Sequence, residues 1–199
     1  MGHHLSALTG PEVLNLGCGG TSDEDPAILH HDITAHSPGV RLTGNLEGLD
    51  SGTFVAQDPL SKRFFFCHRE DSAPRVLFKE VNARDVLEHL PPNRIHAIIE
   101  FCWGALEDGG HLHVQVPQFG SVNAVIDPTH YRGFHLRSFD FFDPTTSIGK
   151  KSAFYGLRPW KLLRAEVVPR SDVNLLFVLK KICPVTTKNP NTAKKLDSP

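Results

Sequence analysis

Four groups of residues carry the types and spacing that a binding or catalytic site needs. The glycine-rich bend Gly17-Cys18-Gly19-Gly20 follows the short apolar run Glu12-Val13-Leu14-Asn15-Leu16. Glycine tolerates positive φ and lets backbone approach a ligand where a Cβ would collide. A dinucleotide-binding loop wants a third glycine at position 22 and a helix N-terminus for the pyrophosphate. Position 22 is Ser22, so the bend suits a ligand without phosphate better, or it is a plain tight turn. Asp32 ends a second apolar stretch, Ala27-Ile28-Leu29-His30-His31. An ionised carboxylate there accepts two hydrogen bonds from adjacent ribose hydroxyls. Asn45, after Val40-Arg41-Leu42-Thr43-Gly44, and Asp58, in Gln57-Asp58-Pro59, are alternatives for meeting an adenine amino group, or are turn residues.

The fourth group is Asp127-Pro128-Thr129-His130-Tyr131-Arg132. Imidazole ordinarily titrates near neutral pH, so His130 is the first candidate for a general base, with a structural hydrogen bond as the alternative. Asp127 can orient the ring or bind an amine, Tyr131 is its neighbour, and Arg132 can hold an acidic substrate. His89 reads as a loop stabiliser. Phe119 and the aromatic residues Phe134, Phe139, Phe141, Phe142, Phe154, Tyr155 and Trp160 either form core or wall a dry acceptor pocket. Twelve histidines raise the question of metal, with His30-His31-Asp32 and His111-x-His113 as the nearest clusters. Adjacent strand residues face opposite ways and alternate ones have no third ligand in sight, so no metal is expected.

Short apolar runs bounded by glycine, proline and polar residues must position these groups. Residues 12–16, 27–32 and 40–45 read as strands, and 75–83 as a fourth. Apolar residues at Ile95, Ile98, Ile99, Cys102 and Leu106 keep the helical interval of three and four, which predicts a helix over 93–107 stopped by Asp108-Gly109-Gly110. His111 to Val116 alternates as a strand before Pro117. Residues 162–168 and 174–181 predict a hairpin across Pro169-Arg170-Ser171-Asp172. Strands interleaved with a helix imply an α/β protein with a mostly parallel sheet and an antiparallel hairpin strand. About ten residues separate the first bend from the second strand, near the minimum for a crossover, so the helix there is short or missing. The sheet face left open is covered by residues 50–72 or by a second copy of the chain, making a homodimer one expectation.

Composition narrows the classes. With 199 residues, 40% hydrophobic and 22% charged, the chain fits one globular domain. A formal net charge of -1 offers no broad basic surface for nucleic acid. Cys18, Cys67, Cys102 and Cys183 stand far apart with no CxxC pair, and there is no apolar run long enough to span a membrane. A cytoplasmic protein acting on a small molecule is expected. Residues 1–11 read as an N-terminal extension, 12–182 as the domain, 119–160 as a substrate-side insertion, and 183–199 as a polar tail.

The motifs Val13-Leu14-Asn15-Leu16-Gly17-Cys18-Gly19, Asp85-Val86-Leu87-Glu88-His89-Leu90, Leu106-Glu107-Asp108-Gly109-Gly110-His111-Leu112 and Asp127-Pro128-Thr129-His130-Tyr131-Arg132 occur in that order. In this arrangement the chain resembles a class I S-adenosylmethionine-dependent methyltransferase of the small bacterial and phage type. The resemblance implies a Rossmann-like, seven-stranded sheet with helices on both faces, and methyl transfer to an oxygen or nitrogen of a small molecule. A regulatory or scaffold subunit binding the same cofactor, or a non-methylating enzyme on the same fold, is the alternative. The resemblance further implies that Gly17 and Gly19 lie under the methionine part of the cofactor, with Asn15 and Cys18 beside them, and that Ile33 also touches the cofactor. Asp32 would hold the ribose, Asn45 and Leu46 would flank adenine, and Arg84 and Asp85 would border the methyl end. Arg132, Phe119 and Phe134 would meet the acceptor.

Overall fold

Alternation in Val13-Leu14-Asn15-Leu16 turns Leu14 and Leu16 into the core, and this makes β1 (Val13–Leu16) a central strand. A computed structural model describes residues 12–17, 28–32, 40–43, 53–57, 64–68, 77–168 and 173–183, with the backbone alone for the four short segments 28–32, 40–43, 53–57 and 64–68. After β1 come β2 (Ile28–Asp32), β3 (Val40–Thr43), β4 (Thr53–Gln57), β5 (Phe64–His68) and β6 (Phe78–Arg84). Then follow α1 (Ile95–Ala105), β7 (Leu106–Pro117), the single turn α2 (Asn123–Ile126), β8 (Trp160–Val168) and β9 (Asn174–Lys181).

Seven of these strands form one sheet in the order β3-β2-β1-β6-β7-β9-β8. The ladders β1–β2, β2–β3, β1–β6 and β6–β7 are parallel, while β9 runs antiparallel to both neighbours. Strand order reverses between β1 and β6, and in an open parallel sheet ligands gather outside the carboxyl ends at such a switch point. The β8–β9 hairpin matches the expectation from the sequence. Strands β4 and β5 pair antiparallel in a separate two-stranded ladder. Residues 18–27, which join β1 to β2, lie outside the described residues.

Helix α1 buries Ile95, Ile98, Ile99 and Cys102, spaced three and four apart. Each buried isoleucine contributes about 2 kcal/mol, so packing on the sheet holds this eleven-residue helix more than intrinsic propensity does. The expected boundaries need correction. The helix ends at Ala105, and Asp108-Gly109-Gly110 belongs to β7 instead of forming a stop. Gly109 adopts a φ of 81° there, and the β6–β7 register shifts between Phe78 and Glu80, so the glycines absorb a bulge inside the strand. At the far edge, the buried carboxylate of Asp143 accepts from Thr145 N (2.8 Å), Thr145 Oγ1 (2.7 Å) and Leu162 N (3.0 Å) and pairs with Lys161 Nζ (3.2 Å). This ties the segment between α2 and β8 to the sheet.

The aromatic residues divide. Phe134, Phe139, Phe142 and Trp160 are buried, whereas Phe154 and Tyr155 are exposed. Phe139 packs its ring 4.5 Å from that of Phe177 on β9. Phe134, read from the sequence as a wall of the acceptor pocket, is a core residue at 3% exposure, its ring near-parallel to that of Phe139. Burial of a large apolar side chain against the sheet outweighs any exposed role for it.

Candidate functional site

The parallel register brings the ends of β1, β2, β3, β6 and β7 to one edge, and β9 starts there, since Pro117 pairs with Asn174. Gly17 leaves β1 with a φ of 57°, and a Cβ on it would stand 2.5 Å from Val86 Cγ2. Glycine is required here twice, by conformation and by the close approach of the next turn. On the other side of the switch point Asp85 has a φ of 52°, a left-handed conformation that a non-glycine residue adopts at a cost. Its N–H donates to Gln115 O (2.9 Å), which anchors the strained residue to β7. Asn174 Nδ2 approaches Asp85 Oδ1 at 3.4 Å, and Asn123 Nδ2 donates to Asn174 Oδ1 at 3.2 Å, linking α2, β9 and β6. Partial burial pushes the Asp85 carboxyl above the ordinary carboxylate range, against the pull of Arg84.

A second cluster stands beside this one. After Asp85 the chain makes one 3-10 turn, Leu87–His89, which buries Glu88 at 1% exposure. Tyr131 N–H donates to Glu88 O (2.8 Å) and brings the 127–132 segment against that turn. Asp127 Oδ1 accepts from Thr129 N (2.8 Å) and Thr129 Oγ1 (2.6 Å), so these bonds hold its carboxyl below the ordinary range. The Thr129 hydroxyl proton is thereby committed. At 2.9 Å from that oxygen, His89 Nδ1 must be the donor, which leaves the His89 Nε2 lone pair available. His89 and His130 meet edge to face with centroids 4.5 Å apart. His130 Nε2 lies 3.9 Å from Asp127 Oδ2, with the imidazole 11% exposed.

Two atoms at the centre of this cluster, Glu88 Oε2 and His130 Nδ1, are buried without a hydrogen-bond partner among the described residues. Buried polar atoms are almost always partnered, and exceptions concentrate where a site does chemistry or takes a ligand. Burial pushes the Glu88 carboxyl up to about 8, aided by the nearby charges of Asp85 and Asp127. Burial, then the neighbouring His130, lowers His89.

Of the residues singled out in the sequence, the structure brings Gly17, Arg84, Asp85, Asp127, His130 and Tyr131 to the carboxyl edge. Asp32 ends β2 at the same edge, paired with Thr43, and its backbone alone is described. Asn15 lies inside β1 opposite His30 and Asn82, two residues short of the edge. Cys18, Gly19, Ile33, Asn45, Leu46 and Asp58 lie outside the described residues. Tyr131 exposes 57% of its surface and Phe119 75%. The Arg132 guanidinium stands 5.8 Å from the centroid of the Phe134 ring. His89, read from the sequence as a loop stabiliser, bonds across to Thr129 in the 127–132 segment. Sequence reasoning missed Glu88, although a carboxylate within the apolar run Val86-Leu87-Glu88-His89-Leu90 was a signal that it faces inward.

No protein-family model and no curated protein matches the sequence. Solved structures do match. A SAM dependent methyltransferase from Archaeoglobus fulgidus aligns with a TM-score of 0.53 at 16% identity, over 87% of this chain and 87% of that one. The 1,6-didemethyltoxoflavin-N1-methyltransferase of Burkholderia thailandensis, with 1,6-didemethyltoxoflavin and S-adenosylhomocysteine bound, aligns at 0.51 and 15% identity, over 87% of this chain and 72% of that one. The N-methyltransferase NodS from Bradyrhizobium japonicum WM9, in complex with S-adenosylhomocysteine, aligns at 0.50 and 12% identity, over 86% and 78%. At these identities the likeness is one of fold. The mixed α/β fold of this chain is that of S-adenosylmethionine-dependent methyltransferases.

Proposed function

We propose that this protein binds S-adenosylmethionine and transfers its methyl group to an oxygen or nitrogen of a small-molecule acceptor. The observation that carries the reading is the pair of left-handed residues, Gly17 and Asp85, that follow the adjacent strands β1 and β6 at the switch point of a sheet with the methyltransferase fold. A bend without room for a Cβ and a strained carboxylate at strand ends suit a ligand that lies against backbone, and the absence of a third glycine suits one without pyrophosphate. Crystals of structurally similar methyltransferases contain S-adenosylhomocysteine, which supports the same choice.

On this reading Gly17, with Asn15, Cys18 and Gly19, holds the methionine part, and Asp32 with Ile33 takes the ribose hydroxyls. Asn45 and Leu46 meet adenine, while Arg84 and Asp85 border the reactive end. When bound, S-adenosylmethionine supplies an electrophilic methyl group. What remains for the protein is to hold the acceptor in line and remove a proton where the acceptor has one to lose. His130 is the base that we assign, with the Asp127 carboxylate 3.9 Å from its Nε2. Exposed Phe119, Tyr131 and Arg132 are the acceptor contacts. No described helix is long and apolar enough to cross a membrane, and we place the protein in the cytoplasm.

Calorimetry tests the cofactor directly. S-adenosylmethionine should bind while NAD does not, and Asp32→Ala should abolish the first. Binding of NAD alone would overturn the proposal. A metabolite screen watching for S-adenosylhomocysteine release then finds the acceptor. With that acceptor, His130→Ala should keep cofactor affinity and slow transfer at least ~tenfold; unchanged turnover would remove His130 from the chemistry.

A further inference from the structure

The Glu88–His89–His130 cluster has features that methyl transfer alone does not use. One ligand atom from each of the three residues lies within 4.8 Å of the other two. Glu88 is 99% buried, and its Oε2 and the Nδ1 of His130 face inward without a partner among the described residues. Outside the cluster, one imidazole is hydrogen-bonded and the other faces a carboxylate. The Nδ1–H of His89 is taken by Thr129 Oγ1 (2.9 Å), and Nε2 of His130 faces Asp127 Oδ2 (3.9 Å). Thr129 and Asp127 are themselves joined at 2.6 Å and 2.8 Å.

We propose that Glu88, His89 and His130 bind one divalent transition-metal ion of the Zn2+ class. Two imidazoles and a carboxylate form a donor set that Zn2+ and its neighbours in the series prefer, whereas Mg2+ and Ca2+ seek oxygen alone. In metal-binding histidines the nitrogen away from the metal is commonly fixed by a carboxylate or another acceptor, which sets the tautomer and aims the other lone pair inward; His89 has that bond, and His130 has the Asp127 carboxylate on the matching side. Here a single turn, Asp127-Pro128-Thr129, faces the outer nitrogens of both histidines. A tetrahedral site with bonds of ~2.1 Å has edges of roughly 3.4 Å, so side-chain rotations of roughly 1 Å close the site around an ion. Three protein ligands leave a coordination position open, as in catalytic sites. The histidine pair noted in the sequence, His111 and His113, takes no part: its rings stand 6.3 Å apart on β7, with His113 beside Glu80.

A nitrogen lone pair that binds a cation cannot also take a proton. Metal-loaded protein therefore uses His130 as a ligand, and the base role assigned above belongs to the metal-free protein. The site stands on the cluster itself and does not depend on methyl transfer being the reaction.

Chelator-stripped full-length protein titrated with Co2+, and separately with Zn2+, gives the test. One equivalent of Co2+ should bind and develop the visible d–d absorption of a low-coordinate site, and Zn2+ should displace it. Glu88→Gln, His89→Ala and His130→Gln should each weaken binding more than tenfold, while His111→Ala combined with His113→Ala should not. Thr129→Val keeps all three ligands and removes one outer contact, so it should weaken binding 10- to 100-fold even if Glu88→Gln fails to fold. Absence of the absorption band, equal binding by the three ligand variants, or loss of binding in the His111/His113 variant would overturn the site, the last two as adventitious binding only. S-adenosylmethionine titrated into the same samples keeps the two proposals apart. Cofactor binding without Co2+ binding defeats the metal site alone, and Co2+ binding without cofactor binding defeats methyl transfer alone.

Discussion

Gly17→Ala perturbs the switch point at one atom, and the structure sets the size of the effect. The residue has a φ of 57°, and placing an L side chain in that region costs about 1–2 kcal/mol. The new Cβ would fall 2.5 Å from Val86 Cγ2, well inside contact distance. Val86 is buried, β-branched and stiff at χ1. It also follows Asp85, already in a left-handed conformation, so it has little freedom to retreat. Overpacking of this kind adds about 1–3 kcal/mol. A total near 3 kcal/mol corresponds to a fall in Tm of roughly 6–12 °C for a chain of this size. Cofactor affinity should fall roughly tenfold or more, equivalent to about 1.4 kcal/mol of that strain appearing in the bound state. Gly156→Ala is the matched control, since Gly156 has a φ of 69° with nothing within 4 Å of its Cβ position. It should cost the conformational part alone, roughly 3–6 °C, and leave cofactor affinity unchanged. Thermal unfolding and calorimetry of the two variants side by side decide the matter. If Gly17→Ala melts no lower than Gly156→Ala, the close approach to Val86 is not a constraint and the reasoning fails.

Asp143→Ala leaves the Thr145 and Leu162 N–H groups without their carboxylate and breaks its ion pair with the half-exposed Lys161. A loss of about 2–4 kcal/mol should appear as a Tm lowered by roughly 4–16 °C. Burial pushes this carboxyl up, but hydrogen bonds from Thr145, Leu162 and Lys161 outweigh it, so the folded-state pKa lies below the ordinary 3.8. The contribution is then complete above about pH 4 and disappears as pH falls through the folded-state value. Wild type and variant should therefore converge in stability on acidification, and a constant gap down to strongly acid pH would contradict this. Lys181→Ala removes the donor to Leu106 O (2.6 Å) at the α1–β7 junction and the ammonium 4.1 Å from the Trp103 ring centroid. It should cost about 2–3 kcal/mol in thermal unfolding; an unchanged Tm would mean that water replaces the donor.

Much of the fold was legible because its signals are local. Alternation in Val13-Leu14-Asn15-Leu16, three-and-four spacing in Ile95-Ile98-Ile99-Cys102, and turn residues between β8 and β9 each act within a few residues. Interleaved strands and a helix then dictate a mostly parallel sheet. Local signals misled where tertiary pairing overrode them. Asp108-Gly109-Gly110 has the composition of a stop, yet the ladder to β6 draws it into β7, with Gly109 absorbing the bulge. Phe134 reads as pocket wall or as core, and the sheet behind it, with Phe139 near-parallel to its ring, decides for core.

The site shows the same division more sharply. Gly17 and Asp85 were legible because strand ends in a parallel sheet share an edge, so two motifs at the ends of adjacent strands must meet whatever lies between them. The partnership of Glu88 with His89 and His130 follows no such rule, since some forty residues separate the two turns in the sequence. It arises because β6 and β7 pair in parallel register, with Arg84 opposite Gln115, and because Tyr131 N–H then docks on Glu88 O. A histidine count along the chain therefore pointed to strand pairs such as His111 and His113, whereas donors that converge come from two separate turns at one sheet edge. For a mostly parallel sheet, the residues to compare are those that follow neighbouring strands, including a carboxylate that looks apolar by its company.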